Sequence, residues 1–277
     1  MFQQISILGP GLLGASLALT MKKRGLCQRV HSWSRRAETR AEAMQADWCD
    51  TVFDQASAAC EGSDLVVVCT PVETIVPLIE QIAPSLELDA LVTDVGSTKS
   101  LICREAQGIA VNYIGSHPMA GSERKGMCHA SHNLFDGAAC FITPLDCNRD
   151  SEVVRLQNLW QAIGMRVVTT NPEKHDEIVA HISHLPHLLA SSLCGYLAGM
   201  DAEWKSLAGG GLCDTTRVAA GDPTLWKQIL EQNREEVLRA IDGFESELQA
   251  LKGALLDKKT PELIAHLQRG KQFRDSL

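Results

Sequence analysis

Apolar positions along the 277-residue chain fall into two regimes. Up to about residue 168, short apolar runs alternate with stretches of helical period, and beyond it only the helical period remains. Residues 5–8, 29–33, 65–69, 91–93, 140–144 and 166–168 read as strands. The run Leu65-Val66-Val67-Val68-Cys69 has no polar position, the pattern of a strand buried on both faces of a parallel sheet. Between strands, Ile75, Leu78, Ile79 and Ile82 share one helical face. Over 151–163, Val153, Val154, Leu156, Leu159, Trp160 and Ile163 share another. Gly25 ends the first predicted helix. Asn171-Pro172 pairs an N-cap with a proline at the first helical position, and from there helix is predicted to the C-terminus, apart from a glycine-rich break at 209–223. Over 224–256 the apolar positions 225, 226, 229, 230, 237, 238, 241, 244, 248, 251 and 255 keep helical spacing and predict core or helix–helix packing. A chain of this length exceeds what one core usually serves. The expected fold class is α/β: an alternating domain over 1–168 and an all-helical domain over 169–277, packed directly because no glycine- or serine-rich linker separates them.

Composition narrows the function classes. With 45% hydrophobic and 22% charged residues the chain reads as a soluble globular protein, and its net charge of -8 argues against a nucleic-acid surface. No apolar run approaches the ~18 residues of a membrane span and no signal peptide precedes the first strand, so a cytoplasmic location without membrane partners is expected. The ten cysteines are scattered with no Cys-x-x-Cys pair and read as reduced, mostly buried hydrophobes. His181, His184 and His187 recur at spacings of three, but no carboxylate or cysteine sits at ligand spacing, and Pro186 bends the helix there. The expectation is no metal, and a kinked helix that opens towards a cleft.

Several stretches carry chemistry. Gly9-x-Gly11-Leu12-Leu13-Gly14, between the first strand and first helix, is a dinucleotide-binding turn: glycines for the tight turn, the approach of the pyrophosphate and helix–strand packing. Where a chain that binds NAD usually places an acid after the second strand, this one has Ser34-Arg35-Arg36, a hydroxyl and two guanidinium groups suited to a 2′-phosphate, so NADP is expected ahead of NAD. Thr70-Pro71 and the segment Asp94-Val95-Gly96-Ser97 leave carboxyl ends of strands and should line the same crevice, Thr70, Pro71, Asp94 and Gly96 against the cofactor and Ser97 against the substrate or as a helix N-cap. The loop-like stretch 115–123 brings glycines, His117 and Glu123 together. His117 can take or give a proton near neutral pH, with an acid limb expected in the histidine range. The lone Arg217 after the glycine-rich break suits capture of an anion.

Taken with Thr93-Asp94-Val95-Gly96-Ser97-Thr98-Lys99, Gly115-Ser116-His117-Pro118-Met119-Ala120-Gly121-Ser122-Glu123, Ser183-His184-Leu185-Pro186-His187 and Asp214-Thr215-Thr216-Arg217, the glycine turn resembles the prephenate/arogenate dehydrogenase family of tyrosine biosynthesis over essentially the whole chain. The resemblance implies a Rossmann-like domain followed by a helical domain that forms a homodimer. It also implies oxidative decarboxylation of a cyclohexadienol, arogenate or prephenate, with hydride transfer to the nicotinamide. In that reading His117 takes the proton of the ring hydroxyl, Ser97 orients that hydroxyl, Arg217 binds the ring carboxylate, His187 contacts the substrate and Glu123 stands at the pocket entrance.

The chain departs from the NAD-using members at Ser34-Arg35-Arg36. It also ends soon after the helical domain, without a recognisable regulatory extension or fused mutase, so any inhibition by tyrosine would have to act at the active site. NADP use and a short chain resemble the arogenate-preferring members. Two other readings stay open from sequence: a β-hydroxyacid dehydrogenase, which would place a lysine where this helix offers histidines, and an NADP-binding sensor without chemistry, which would not need His117, Ser97 and Arg217.

Overall fold

The computed structural model describes residues 2–109, 111–121, 124 and 126–277. The alternation resolves into β1 (Phe2–Leu8), α1 (Leu12–Lys23), β2 (Cys27–Trp33), α2 (Ala37–Met44), β3 (Thr51–Phe53), α3 (Ala56–Cys60), β4 (Leu65–Val68), α4 (Val72–Ile82), β5 (Leu91–Asp94), α5 (Ser100–Ala106) and β6 (Asn112–Tyr113). These strands form one sheet in the order β3-β2-β1-β4-β5-β6, every pair parallel. The order reverses between β1 and β4, so the loops leaving their carboxyl ends diverge and open a crevice. Both faces of the sheet are covered, which is why the strands read as unbroken apolar runs. Ile5, Ile7, Leu65, Val67 and Leu91 enter one core, and Leu8, Val66, Val68 and Val92 the other.

A second, three-stranded sheet follows: β7 (Gly115–Pro118), β8 (Ala139–Thr143) and, after α6 (Asp150–Ala162), β9 (Arg166–Thr169). β7 runs antiparallel to β8, and β8 parallel to β9. The first four residues of the histidine stretch are therefore a buried strand and not a loop. Pairing with β8 satisfies the backbone, and Pro118, which has no N–H to give, falls at the strand's end. On α6 the buried side is narrower than expected, Leu156, Leu159 and Trp160, with Val154 49% exposed.

The remainder is helical: α7 (Pro172–Val179), a π turn (Ala180–His184), α8 (Leu185–Ala198), α9 (Gly210–Thr216), α10 (Pro223–Gln232), α11 (Arg234–Leu256) and α12 (Thr260–Asp275). Asn171 caps α7 as expected, its side chain accepting from the Lys174 amide at 2.7 Å. The kink expected at Pro186 takes the form of the π turn just before it, whose wider register absorbs the missing proline donor so that α8 starts with Pro186 in its first turn. The expected break at 209–223 is largely helical, because Gly209 serves as an extended cap and Gly210 and Gly211 lie in the first turn of α9. The single helical stretch expected over 224–256 divides at Asn233, a buried residue whose side-chain amide donates to the Asp176 carbonyl at 2.8 Å and lies 3.2 Å from His184 Nδ1. The core of this part is thin, built on Ala180, Leu185, Val237 and Ala240. Leu248, Leu255, Leu256, Ile264, Leu267 and Phe273 remain 47% to 72% exposed. No helix among the described residues is long and apolar enough to cross a membrane.

Candidate active site

The glycine turn lies at the switch point. Gly9 has φ +95°, in the left-handed region, and a Cβ there would stand 2.8 Å from Thr70 Cγ2. A Cβ on Gly14 would stand 2.8 Å from the Gly9 carbonyl oxygen, so α1 packs directly on the strand it follows. Gly11, the cap of α1, faces open space, and beyond it the first helical amides, at Leu12 and Leu13, lack helical partners. Thr70 and Pro71 turn from β4 into α4 against this loop, and the Thr70 hydroxyl is buried without a partner among the described residues. Open room over a helix N-terminus, with an orphaned hydroxyl beside it, fits the phosphates of a dinucleotide.

At the end of β2, Ser34 is buried and its Oγ accepts from the Arg36 amide at 3.3 Å. Arg35 and Arg36 are exposed. Arg40 braces the turn, donating to the Ser34 and Arg35 carbonyls at 2.8 and 3.0 Å.

Asp94 does not belong with the cofactor contacts. It is fully buried, with one oxygen accepting from Lys99 Nζ at 2.5 Å and the Gly96 amide at 2.8 Å, and the other from Tyr113 OH at 2.8 Å and the Ser116 amide at 3.2 Å. All its accepting capacity is spent inside the protein. Gly96 is also buried, and a Cβ on it would press on Asp94 and Ile75, so its role is close packing. Nor does Ser97 cap a helix: α5 starts at Ser100, and its first amides are held by Asp176, at 2.8 Å to Lys99 N and 2.9 Å to Ser100 N. Ser97 is left partly exposed in the loop after β5, its hydroxyl not used as a cap.

His117 stands on β7, only 7% exposed. Ser116 Oγ is 2.8 Å from Thr93 Oγ1, which ties β7 to the end of β5 and brings the Ser97 loop beside the His117 strand. The Nδ1 of His117 is 2.9 Å from His175 Nε2, and His175 Nδ1 is 2.7 Å from Asp176 Oδ1. Burial, followed by the electrostatic influence of His175, Lys99 and His184, pulls the His117 pKa well below the usual histidine value. His117 is therefore neutral near pH 7, and any titration of it lies below the ordinary histidine range.

The helical part supplies the facing wall. His184 is pushed down to about 4, chiefly by burial, and its Nδ1 lies 3.2 Å from the Asn233 side-chain amide. His187 is 6% exposed and stacks on Trp226, centroids 3.5 Å apart and planes at 7°. His184 Nε2 and His187 Nδ1 are buried without partners among the described residues. Arg217, exposed, opens a short turn to Ala220, and Gly221 just beyond it packs against the rings of His187 and Trp226. His181 turns away to the Glu177 carbonyl, and among the described residues no group of three or more histidines, cysteines or carboxylates could hold a metal. Glu123 lies outside the described residues.

Sequence reasoning missed His175, Asp176, His184 and Trp226 as parts of the site. A signal for the first two was present. Positions 172, 175, 176, 179 and 180 form the buried stripe of α7 and the following turn, and two ionisable residues within such a stripe imply paired, buried partners.

Two family models match the chain, prephenate dehydrogenase nucleotide-binding domain over residues 17–169 and prephenate dehydrogenase dimerization domain over residues 171–269. A prephenate dehydrogenase of Bacillus subtilis (strain 168) is 30% identical over 280 residues, spanning 99% of this chain and 76% of the relative. Among solved structures, prephenate dehydrogenase from A. aeolicus in complex with hydroxyphenyl propionate and NAD+ has a TM-score of 0.94 at 29% identity, covering 100% of this chain and 98% of that one. Synechocystis arogenate dehydrogenase has a TM-score of 0.86 at 30% identity, covering 99% of each chain. With a glycine turn at the switch point of its parallel sheet and a buried histidine on the strand tied to the end of β5, the chain belongs to the prephenate dehydrogenase family, whose members oxidatively decarboxylate a cyclohexadienol with a nicotinamide dinucleotide in tyrosine biosynthesis.

Proposed function

We propose that this enzyme uses NADP ahead of NAD and acts on arogenate ahead of prephenate, with His117 as the proton acceptor. The observation that carries the chemistry is His117, a histidine kept neutral by burial on β7, the strand tied to the end of β5, where the substrate ring would meet the nicotinamide. When bound, the cofactor supplies the hydride acceptor. His117 accepts the hydroxyl proton as the hydrogen on the same ring carbon departs as hydride. The electron pair of the bond to the carboxyl carbon then enters the ring as carbon dioxide leaves, and the proton on His117 returns to the ring oxygen, which completes a phenol. Ser97 orients the hydroxyl, Arg217 holds the ring carboxylate, and His187, fixed by its stack on Trp226, contacts the substrate. Glu123 is assigned to the pocket entrance on the motif alone.

Gly9, Gly11, Leu12, Leu13, Gly14, Thr70 and Pro71 would hold the pyrophosphate side of the cofactor, and Ser34, Arg35 and Arg36 its 2′-phosphate. Preference for NADP rests on the hydroxyl and two guanidinium groups at the end of β2, and the choice of arogenate rests on that cofactor preference. We place the division between domains near residue 168, and read the exposed leucines and Phe273 of α11 and α12 as a homodimer interface, since so much apolar surface on a thin core calls for a partner. The ten unpaired thiols suit a reducing cytoplasm.

Formation of reduced cofactor tests the proposal directly, with arogenate and prephenate offered separately and NADP and NAD in turn. The highest kcat/KM is expected for arogenate with NADP. A higher value for prephenate or for NAD would overturn that part, and turnover of neither acid would overturn the whole.

A further inference from the structure

The ring of His117 has a second nitrogen that the reaction does not use. Nδ1 points into the protein, 2.9 Å from His175 Nε2, and His175 Nδ1 points on to Asp176 Oδ1 at 2.7 Å. The three residues are 7%, 0% and 2% exposed, so water does not compete for these contacts. Asp176 accepts further bonds from the Lys99 and Ser100 amides at 2.8 and 2.9 Å. Burial pushes its carboxyl up, but the His175 and Ser100 hydrogen bonds outweigh this and hold it below the usual range, so it is ionised.

Proton counting then settles each bond. An ionised carboxylate can only accept, so the hydrogen between Asp176 and His175 is on His175 Nδ1. A neutral imidazole carries one N–H, which leaves His175 Nε2 a bare acceptor, and the hydrogen between the two rings must be on His117 Nδ1. The lone pair of His117 is then on Nε2. We propose that Asp176 and His175 are positioning residues that select the His117 tautomer, directing its basic nitrogen at the substrate hydroxyl. The inference rests on the reading of His117 as proton acceptor.

Geometry gives this arrangement a second consequence. His117 belongs to β7, whereas His175 and Asp176 belong to α7 of the helical part, and Asp176 also caps α5. The base acquires its tautomer only when the two parts are docked. Once His117 has taken a proton, its Nδ1–H still donates to His175, now as a charge-assisted bond with Asp176 behind it. The groups facing these two rings are Lys99, His184, Asp94 and Asp176. Phe141 packs edge-on against His175, centroids 5.2 Å apart.

The test begins with the unmodified enzyme bound to NADP. Long-range proton–nitrogen correlation spectra of nitrogen-15 histidine, recorded above neutral pH, should show His117 and His175 both protonated at Nδ1, although free imidazole favours Nε2–H. A His117 protonated at Nε2 would overturn the proposal. In kinetics, His175→Leu removes the acceptor and His175→Gln offers a carbonyl oxygen in its place. The leucine variant should lose on the order of ten- to a hundredfold in kcat, with KM for both substrates within about twofold, and the glutamine variant should recover most of the loss. Equal rates for the two variants would reduce His175 to a space-filler and end the proposal. The underlying reading fails separately: His117→Asn with normal turnover removes the base itself, whereas an inactive His117→Asn beside an Nε2-protonated His117 keeps the base and rejects the relay.

Discussion

Replacing Ser34 by aspartate and Arg35 by alanine should turn the enzyme from NADP towards NAD. Ser34 Oγ is buried and accepts from the Arg36 amide at 3.3 Å, so it can still donate its proton to a phosphate oxygen. Arg35 and Arg36 are exposed, which puts their contacts at the weak end of the range for charge-assisted bonds, about 1.5 kcal/mol each. Two such contacts amount to about 3 kcal/mol, or roughly a hundredfold preference for NADP, and one alone would give about tenfold. An aspartate at 34 reverses the sign. A carboxylate ~4 Å from a phosphate charge costs about 4 kcal/mol near a protein surface, while the same group accepts from the 2′-hydroxyl of NAD. Arg40 is left in place because it holds the Ser34 and Arg35 carbonyls, so the turn should keep its shape. The assay is kcat/KM for each cofactor at saturating dienol acid across a salt series, since exposed contacts are screened. Equal efficiency of the unmodified enzyme with both cofactors, or a variant whose ratio does not move, would refute the reasoning.

Arg217→Ala should raise KM for the dienol acid by roughly one to three orders of magnitude with cofactor affinity unchanged, and an unaltered KM would move the anion site elsewhere. Gly14→Ala forces a methyl group against the Gly9 carbonyl and Ile7, so it should cost about 1–3 kcal/mol in denaturant unfolding and weaken NADP binding, and a neutral result would show that the turn has slack. His184, lowered from 6.5 to about 4, is neutral in the fold while the unfolded chain already binds a proton, so stability should fall as pH drops from 6.5 towards 4, by on the order of 3 kcal/mol. In His184→Asn the urea midpoint should vary correspondingly less over that window; an identical pH dependence would show that other groups carry it.

What the sequence made legible followed from local pattern. Runs such as 65–69 announced strands covered on both faces, Gly9, Gly11 and Gly14 announced the turn, and Asn171-Pro172 announced the start of α7, because each depends on neighbours close in the chain. The parts that escaped depend on distant partners. β7 reads as loop by its glycine, serine, histidine and proline, and is a strand because β8, more than twenty residues on, completes its hydrogen bonding. Asp94 sits where a cofactor contact is expected, yet Lys99 and Tyr113 claim it, and only the packing of β5 against β7 shows that. Asn233 divides α10 from α11 to reach Asp176 and His184, a demand that apolar spacing cannot register. His175 and Asp176 stood in a readable buried stripe, but their meeting with His117 and with the first amides of α5 is a property of the docked parts alone.

The central claim is that His117 is the proton acceptor, and His117→Asn tests it most directly. Asparagine preserves some hydrogen bonding but cannot take the proton, and the substitution touches neither the glycine turn nor Arg217. Binding of NADP and of the dienol acid should therefore persist by titration, while kcat falls by roughly 10²–10⁴-fold. In the unmodified enzyme the acid limb of kcat/KM should lie below the ordinary histidine range, as burial of His117 requires, and should be absent from the residual rate of the variant. Near-normal turnover in His117→Asn, or an acid limb that survives in it unchanged, would contradict the assignment and leave His187 as the next residue to replace.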